Sequence, residues 1–183
     1  MFYRSWPARR ALLAAAPDGD LAVAMRIVLG SDHAGYRLKQ ILAEHLATAG
    51  HDVNDVGTFS EKPVDYPGFC AAAARTVVRG DADMAVVVGG SGQGEAISAN
   101  KVHGVRAALC HDETTARLAR NHNDANVLAL GARFLAAELA TTILDVFLAA
   151  TFEGGRHVPR LKEIAAIESD ECAGPSGSEV ATR

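Results

Sequence analysis

The residues most able to do chemistry lie in a glycine-rich loop, Gly89-Gly90-Ser91-Gly92-Gln93-Gly94, which is followed directly by Glu95. The apolar run before the loop, Val86–Val88, is typical of a buried strand. Glycines let a ligand approach main-chain N–H groups closely, and the start of a helix adds unpaired donors and a partial positive charge that favour an anion. The pattern predicts a cradle for a small anionic substrate, with Glu95 beside it to move a proton.

Two nucleotide-binding motifs resemble this loop but do not fit it. A dinucleotide fingerprint needs G-x-G-x-x-G after a strand; counted from Gly90, the third glycine falls one residue early, at Gly94, and Glu95 stands in its place. A P-loop ends in Gly-Lys-Ser/Thr, whereas this loop ends in Gly94-Glu95 and carries the wrong charge. A purely structural strand-to-helix turn stays open as an alternative, although so many glycines are entropically unfavourable in a plain turn.

Composition argues against several other classes of function. The 183 residues carry a formal net charge of −4, and no basic stripe with interleaved aromatic residues suggests a nucleic-acid partner. No apolar run approaches the roughly 20 residues that span a bilayer, so we expect no membrane partner. The three cysteines, Cys70, Cys110 and Cys172, are widely spaced and odd in number. This usage favours reduced thiols and a cytoplasmic location over a disulfide framework.

We expect one folded domain over residues 25–171, between two segments of different composition. Residues 1–24 contain three arginines, a short Ala/Leu run and Pro17-Asp18-Gly19-Asp20. Because the apolar part is too short for a signal peptide, this segment is predicted to be a disordered extension, with a targeting segment as the alternative. Residues 172–183 are rich in Gly, Ser and Pro and are predicted to be a disordered tail.

Between these segments, apolar β-prone runs alternate with helical periods. Runs that are apolar throughout indicate strands buried on both faces, and therefore a parallel sheet covered by helices. The order of elements predicts a single-domain α/β fold, a three-layer α/β/α doubly wound (Rossmann-like) sheet of five parallel strands. The predicted strands are residues 26–30, 52–56, 83–88, 106–110 and 126–130. The predicted helices are residues 36–49, 66–79, 95–101, 112–121, 135–149 and 160–169.

In such folds ligands bind at the carboxyl ends of the strands, near the point where the strand order reverses. The loops expected at that edge are Ser31-Asp32-His33, the glycine loop, His111-Asp112 and Gly131-Ala132-Arg133. No spacing of His, Cys, Asp or Glu makes a convincing metal site. We therefore expect neither a metal nor a cofactor.

Six segments, in their order and spacing, resemble the ribose-5-phosphate isomerase B / galactose-6-phosphate isomerase family over roughly residues 26–168. They are Gly30-Ser31-Asp32-His33-Ala34-Gly35-Tyr36, Asp65-Tyr66-Pro67, the glycine loop continuing to Ala99-Asn100-Lys101, Asn121-His122-Asn123-Asp124, Gly131-Ala132-Arg133 and Glu153-Gly154-Gly155-Arg156-His157. One such segment alone would be weak support, whereas six in order are specific. The resemblance implies a metal-free aldose–ketose isomerase that interconverts ribose 5-phosphate and ribulose 5-phosphate through an enediolate.

The resemblance also implies which residue is the base. One form of the family has a cysteine at the first position of the glycine loop, and the other has a glycine there and a glutamate just after it. Gly89 and Glu95 match the glutamate form, and none of the cysteines lies in the loop. The start of a helix favours ionised Glu95, whereas burial under substrate disfavours it, and the sequence leaves this balance open. The alternative for Glu95 is a residue that only complements the helix dipole.

The charge that develops on oxygen during isomerisation needs hydrogen-bond donors. The candidates are the backbone N–H groups of the loop and one hydroxyl, contributed by Gly90, Ser91, Gly92, Gln93 and Gly94. A role for Ser91 as a helix N-cap is the alternative, and one hydroxyl could serve both purposes.

Ring opening and phosphate binding are assigned from the resemblance. His122, in the segment Asn121-His122-Asn123-Asp124, matches the family's ring-opening residue. A near-neutral imidazole can pass a proton to the ring oxygen, and Asn123 beside it is expected to bind a hydroxyl or the oxyanion. The family's phosphate positions correspond to Arg133, Arg156 and Arg160, whose guanidinium groups suit phosphate. Asp32-His33 matches the substrate-binding pair after the first strand. Since the family's site is formed between two subunits, we expect a homodimer or a dimer of dimers with shared active sites.

Several alternatives stay open. The substrate could be another phosphosugar, such as allose or galactose 6-phosphate or a tetrose phosphate, because pocket depth decides it. A non-catalytic phosphosugar-binding module on the same fold is the third possibility, but a pure binder would need neither Glu95 nor His122. Without the motif, His122 would be interpreted as a helix C-cap. Tyr66 could line the pocket or only pack, and His157 could assist phosphate binding or have no role.

Overall fold

The computed structural model describes residues 12–15 and 21–173. The strands are β1 Leu12–Ala15, β2 Leu21–Ala24, β3 Arg26–Ser31, β4 Asp52–Asp55, β5 Met84–Gly89, β6 Ala107–Leu109 and β7 Val127–Gly131. The helices are α1 Tyr36–Thr48, α2 Pro67–Arg79, α3 Gln93–Ala99, α4 Glu113–Asn123, α5 Ala137–Ala149 and α6 Val158–Ala173. A 3₁₀ turn, Gly155–His157, leads directly into α6.

Strands β3 to β7 form one parallel sheet in the order β4-β3-β5-β7-β6. Successive side chains of a strand point to opposite faces. Val86 and Val88 of β5 therefore belong to the core under α1, α4 and α5, whereas Ala85 and Val87 belong to the core under α2 and α3. Every residue of β5 is buried, which explains why the run shows no polar alternation. The prediction of a three-layer doubly wound α/β fold is confirmed.

The strand order reverses between β3 and β5, because β4 pairs with one edge of β3 and β5 with the other. Ser31 is in register with Val88, and Gly89 is in register with Gly131. The loops that follow β3, β5 and β7 consequently leave the sheet side by side. This edge is where the doubly wound topology places a ligand.

The start of α3 differs from the prediction. The helix begins at Gln93, with Gly92 as its N-cap, so Glu95 lies inside the first turn rather than opening the helix. Gly92 has a φ of +77°, and a Cβ there would lie 2.5 Å from the Leu109 Cδ1 atom. Glycine has a low helix propensity, and for this reason the sequence pattern placed the boundary too late.

The N-terminal segment contains regular structure that the prediction of a disordered extension did not include. Strand β1 pairs antiparallel with β2, in the register Leu12 to Ala24. The two paired strands coincide with short apolar runs, which are too short to show a strand period. Residues 1–11, 16–20 and 174–183 lie outside the described residues, so disorder there stays a prediction. Helix α6 continues to Ala173, which takes residues 172 and 173 out of the predicted tail.

Among the helices within residues 21–173, none combines the length and the apolar character needed to cross a bilayer.

Candidate active site

A cavity of about 210 Å³ opens at the carboxyl ends of β3, β5 and β7. Its lining residues are Asp32, His33, Ala34, Tyr66, Gly90, Ser91, Gly94, Glu95 and Arg133. The structure therefore brings the predicted base, the Ser91 hydroxyl, the Asp32-His33 pair and one of the predicted phosphate ligands into one cavity, the Glu95 cavity. Gly92 and Gln93 belong to the same loop but are not among the lining residues.

The Glu95 side chain is buried against the end of β5, with an exposed fraction of only 3%. A Cβ atom at Gly89 would overlap the Glu95 carboxylate, so the carboxylate occupies the space that a larger side chain at position 89 would need. Burial raises the pKa of Glu95, and the charge of Asp32 adds to the rise. The N–H groups of Glu95 and Gly92, together with the Arg133 guanidinium, oppose it without cancelling it. The balance that the sequence left open is decided by burial.

Backbone hydrogen bonds hold the glycine loop against the turn after β7. The Gly89 carbonyl accepts from the Ala132 N–H at 2.8 Å, and the Gly90 carbonyl accepts from the Arg133 N–H at 3.1 Å. The Arg133 guanidinium lies over the loop, because a Cβ at Gly90 would be only 3.1 Å from its Cζ atom. This side chain is exposed, and its charge is thus available to an anion at the cavity mouth.

Ser91 is not the N-cap of α3, since that position is held by Gly92. Its Oγ atom makes only a long contact of 3.4 Å with the Gln93 N–H. The hydroxyl therefore lines the Glu95 cavity without a short hydrogen bond that a substrate would have to break. This geometry favours the ligand-binding interpretation of Ser91 over the capping one.

The loop after β3 orients the predicted substrate-binding pair. The Oδ1 atom of buried Asp32 accepts from the Gly35 N–H at 3.0 Å. The Nδ1 atom of His33 accepts from the Val64 N–H at 3.2 Å and lies 3.9 Å from the Asp32 Oδ2 atom. Both side chains are thus fixed by backbone groups at the rim of the cavity.

Tyr66, which the sequence left undecided, lines the cavity. A Cβ at Gly94 would lie 2.5 Å from the Tyr66 hydroxyl oxygen, so the ring packs directly on the first turn of α3. Its position next to Pro67 at the start of α2 was visible in the sequence, but the contact with Gly94 depends on how α2 packs against α3.

Three other predicted residues, His122, Arg156 and Arg160, lie elsewhere. Together with Glu153 and His157 they form a group that we call the His122 cluster. The His122 and His157 rings stack with centroids 4.3 Å apart and an angle of 13° between their planes. The Arg156 Nε atom is 3.5 Å from the His157 Nε2 atom, and the Arg160 Nη1 atom donates to the Arg156 carbonyl at 3.4 Å. The exposed residue Asn123 ends α4 beside this cluster.

None of the His122 cluster residues, nor Asn123, lines the Glu95 cavity. Within one chain the predicted site is consequently divided into two parts. One part holds the predicted base and Arg133, and the other holds the predicted ring-opening residue and the other two predicted phosphate ligands. The sequence did not reveal that Glu153 and His157 would join His122. The only signal was the segment Glu153-Gly154-Gly155-Arg156-His157, which carries part of the family resemblance.

Known proteins share this sequence and fold over most of the chain. Ribose-5-phosphate isomerase B of Escherichia coli strain K12 is 43% identical over 143 residues, which span 78% of this chain and 96% of that protein. Ribose-5-phosphate isomerase B of Mycobacterium leprae is 44% identical over 153 residues, which span 82% of this chain and 94% of that protein.

Two solved structures are similar to the whole domain. Ribose-5-phosphate isomerase B of Clostridium thermocellum superposes with a TM-score of 0.80 at 46% identity, covering 80% of this chain and 99% of that one. The Mycoplasma genitalium enzyme with bound ribulose 5-phosphate superposes with a TM-score of 0.76 at 43% identity, covering 79% and 97%. A family model described as Ribose/Galactose Isomerase matches residues 27–164. The chain therefore belongs to the ribose/galactose isomerase family.

Proposed function

We propose that this chain interconverts D-ribose 5-phosphate and D-ribulose 5-phosphate, with Glu95 as the general base. The observation that carries the proposal is the placement of a buried carboxylate in the space over Gly89, inside a cavity that also holds Arg133. The E. coli and M. leprae relatives are ribose-5-phosphate isomerases B, and the M. genitalium relative was crystallised with ribulose 5-phosphate. These likenesses support the same substrate pair here.

The isomerisation moves one proton between neighbouring carbons. The Glu95 carboxylate takes the proton from C2 of the open aldose, the electron pair of the C–H bond forms the C1–C2 double bond, and the negative charge passes to the carbonyl oxygen. The enediolate becomes the ketose when the proton of the C2 hydroxyl passes to O1 and Glu95 returns the carbon-bound proton to C1. The electron pair of the C1–C2 double bond forms the new C–H bond, and O2 becomes the carbonyl oxygen. A base of this kind contributes about 10²–10⁴-fold to the rate, and the raised pKa of Glu95 brings it nearer to the pH at which a base works best.

The enediolate oxygen needs stabilisation in the same cavity. We assign this role to the N–H groups of the lining residues Gly90, Ser91 and Gly94, to the Ser91 hydroxyl and to Arg133, which lies over the loop. A single donor of this kind is worth about 3 kcal/mol in the transition state. Because glycines keep the backbone exposed to the ligand, the loop provides these donors without side chains in the way.

We assign ring opening and most of the phosphate binding to the His122 cluster of a second copy of the chain. Opening the furanose breaks the bond between C1 and the ring oxygen; the ring oxygen keeps the electron pair and takes a proton from His122, while the C1 hydroxyl gives its proton to water. Asn123 binds a sugar hydroxyl, and Arg156 and Arg160 bind the phosphate. The division of the predicted residues between two places in one chain supports a homodimer, or a dimer of dimers, with shared sites.

The buried thiols of Cys70 and Cys110 are unpaired, in keeping with a cytoplasmic enzyme.

The test is a panel of phosphosugars given to the purified protein: the phosphates of ribose, allose, galactose and erythrose. We expect the highest kcat/KM for ribose 5-phosphate. Preferred turnover of a six-carbon or four-carbon substrate would transfer the proposal to that sugar, and binding without turnover of any of them would indicate a binding module.

Mixing two variants tests the shared site. Glu95→Gln and His122→Ala each damage a different half, so a mixed dimer regains one intact site. Random exchange of subunits should restore about one quarter of the sites, and the activity of the mixture should exceed the sum of its parts. If subunits demonstrably exchange and no activity returns, both halves belong to one chain.

A further inference from the structure

The surroundings of His122 contain two residues with no role in the proposed chemistry, Glu153 and His157. The Glu153 Oε2 atom lies 3.9 Å from the His122 Nε2 atom and 3.7 Å from the His157 Nε2 atom. These distances are too long for direct hydrogen bonds, but they place one carboxylate near the Nε2 atom of each of the two imidazoles. An imidazole that carries the proton to be delivered is positively charged, and a nearby carboxylate compensates that charge.

Glu153 is held to the end of α4, where His122 lies. Its N–H donates to the Asn121 carbonyl at 2.9 Å, and its Oε1 atom accepts from the Asn121 Nδ2 atom at 3.1 Å. Since Asn121 directly precedes His122, these two bonds fix the carboxylate relative to the imidazole. The side chain is about half exposed, so its removal leaves no cavity in the core.

His157 fixes the plane of the His122 ring from the other side. It is buried, with 6% exposed, and its ring stacks on that of His122. Burial lowers the pKa of His157, and His122, Arg156 and Arg160 lower it further, whereas Glu153 opposes them. The lowered pKa favours the neutral form of His157, which stacks on His122 without adding a second positive charge.

A metal site is the other use that these three side chains suggest, because one donor atom of each lies within 4.8 Å of the others. A metal must lie close to the plane of every imidazole that binds it. The two stacked rings occupy nearly parallel, separate planes, so no single position satisfies both. Coordination would require the stack to be dismantled, and the geometry favours a positioning role instead.

We propose that Glu153 and His157 are positioning residues for His122: the stack sets the plane of the imidazole, and the carboxylate balances its charge while it serves the ring oxygen. The inference rests on the proposed function of His122. A chemical difference between the two sugars allows the positioning role to be tested separately from the proposed function. Ribulose 5-phosphate has no free hydroxyl that can close a five- or six-membered ring, because the C5 oxygen carries the phosphate. It is always open, whereas ribose 5-phosphate must first be opened.

The experiment compares two rates for each variant: turnover of ribose 5-phosphate, and exchange of the C1 proton of ribulose 5-phosphate with deuterated water. For Glu153→Gln, which keeps the acceptor for Asn121 and removes the charge, we expect turnover to fall about tenfold or more, as for partial loss of an acid–base group. We expect deuterium exchange to stay within about twofold of the wild-type rate. The matched control is Glu44→Gln, an exposed glutamate on α1, which should change neither rate.

A second pair of variants tests the stack. His157→Phe keeps a flat ring and should retain most of the turnover, whereas His157→Ala should lose about as much as Glu153→Gln. The ring-current shift that His157 imposes on the His122 carbon-bound protons should disappear in His157→Ala and persist in His157→Phe. Thermal unfolding identifies any variant that fails to fold.

The possible outcomes distinguish the positioning role from the proposed function on which it rests. If the wild-type protein neither turns over ribose 5-phosphate nor exchanges the ribulose proton, the proposed function is wrong. If the wild type does both and the Glu153 and His157 variants lose both rates equally, or lose neither, the positioning role is wrong.

Discussion

The Glu95 cavity and the His122 cluster differ in how the fold builds them. The cavity is formed by loops that leave adjacent parallel strands, and its two carboxylates, Asp32 and Glu95, are buried. The cluster lies where α4 ends and α6 begins, and its arginines are exposed. A general base works best when burial tunes its pKa and its position is fixed. Side chains that bind the phosphate of a substrate held by a neighbouring subunit must instead extend from the surface. This difference agrees with our proposal that the cavity holds the reacting atoms and that the cluster binds and prepares the substrate.

The largest effect should come from removing the base. We expect Glu95→Gln to lower kcat for ribose 5-phosphate by at least about 10²–10⁴-fold while phosphosugar binding persists, because the amide fits the same space over Gly89 and cannot accept the proton. Exchange of the substrate C2 proton with deuterated water measures this directly. Undiminished exchange in the variant would remove Glu95 from the mechanism.

A methyl group at position 89 should displace the base without deleting it. We expect Gly89→Ala to lower kcat about 10²-fold, since small misplacements of a catalytic group have effects of that size, and to destabilise the fold by about 1–3 kcal/mol through overpacking. Kinetics and denaturant unfolding are the measurements. The control is Gly68→Ala in α2, where a Cβ meets nothing within 4 Å; equal losses in the two variants would mean that the space over Gly89 is not special.

The His122 cluster should respond through binding instead. We expect Arg156→Ala and Arg160→Ala each to raise KM for ribose 5-phosphate about 10- to 100-fold, because a charge-assisted hydrogen bond is worth about 1.5–3 kcal/mol, with a smaller change in kcat. Steady-state kinetics distinguish the two constants. Arg79→Ala, at the exposed end of α2, is the control. A fall in kcat with unchanged KM would show that the arginines act on the chemical step.

Because Arg133 lies in the cavity with Glu95, we expect its removal to affect the chemical step as well as substrate binding. Its charge opposes the rise in the pKa of Glu95. Since the base must be ionised to act, kcat/KM rises as the pH rises through this pKa. Arg133→Ala should therefore move the acid limb of the pH profile to higher pH, whereas Arg156→Ala should leave the limb in place. Identical profiles for the two variants would contradict the division between cavity and cluster.

The smallest effect concerns stability. Because the pKa of Glu95 is raised in the folded state, its contribution to the free energy of unfolding is greatest below the pKa of the unfolded chain and is lost as the pH rises through the folded value. Glu95→Gln has no such loss and should gain stability relative to the wild type as the pH rises from acid to neutral. Urea unfolding at several pH values measures the difference; a constant difference would mean that the Glu95 carboxyl is not desolvated.

Periodicity predicted most of the fold, and the positions of the loops predicted that the glycine loop, Asp32-His33 and Arg133 would meet at one edge of the sheet. The apolar runs of β3, β5 and β7 and the amphipathic helices lie within a few residues of their predicted bounds, because burial on both faces leaves a clear pattern. The pairing of β1 with β2 was not predicted, since such short apolar runs have no clear periodicity. The contact of Tyr66 with Gly94 depends on helix packing, which no local pattern encodes.

The sequence by itself determined that this chain is a parallel α/β protein with a glycine loop and a glutamate at the ligand-binding edge, because strand burial and glycine spacing are local properties. The tertiary structure alone decided that burial dominates the pKa of Glu95 and that its carboxylate lies over Gly89. It also decided that Glu153 and His157 meet His122. Residues far apart in the chain create those effects, and their distances arise only when the helices pack on the sheet.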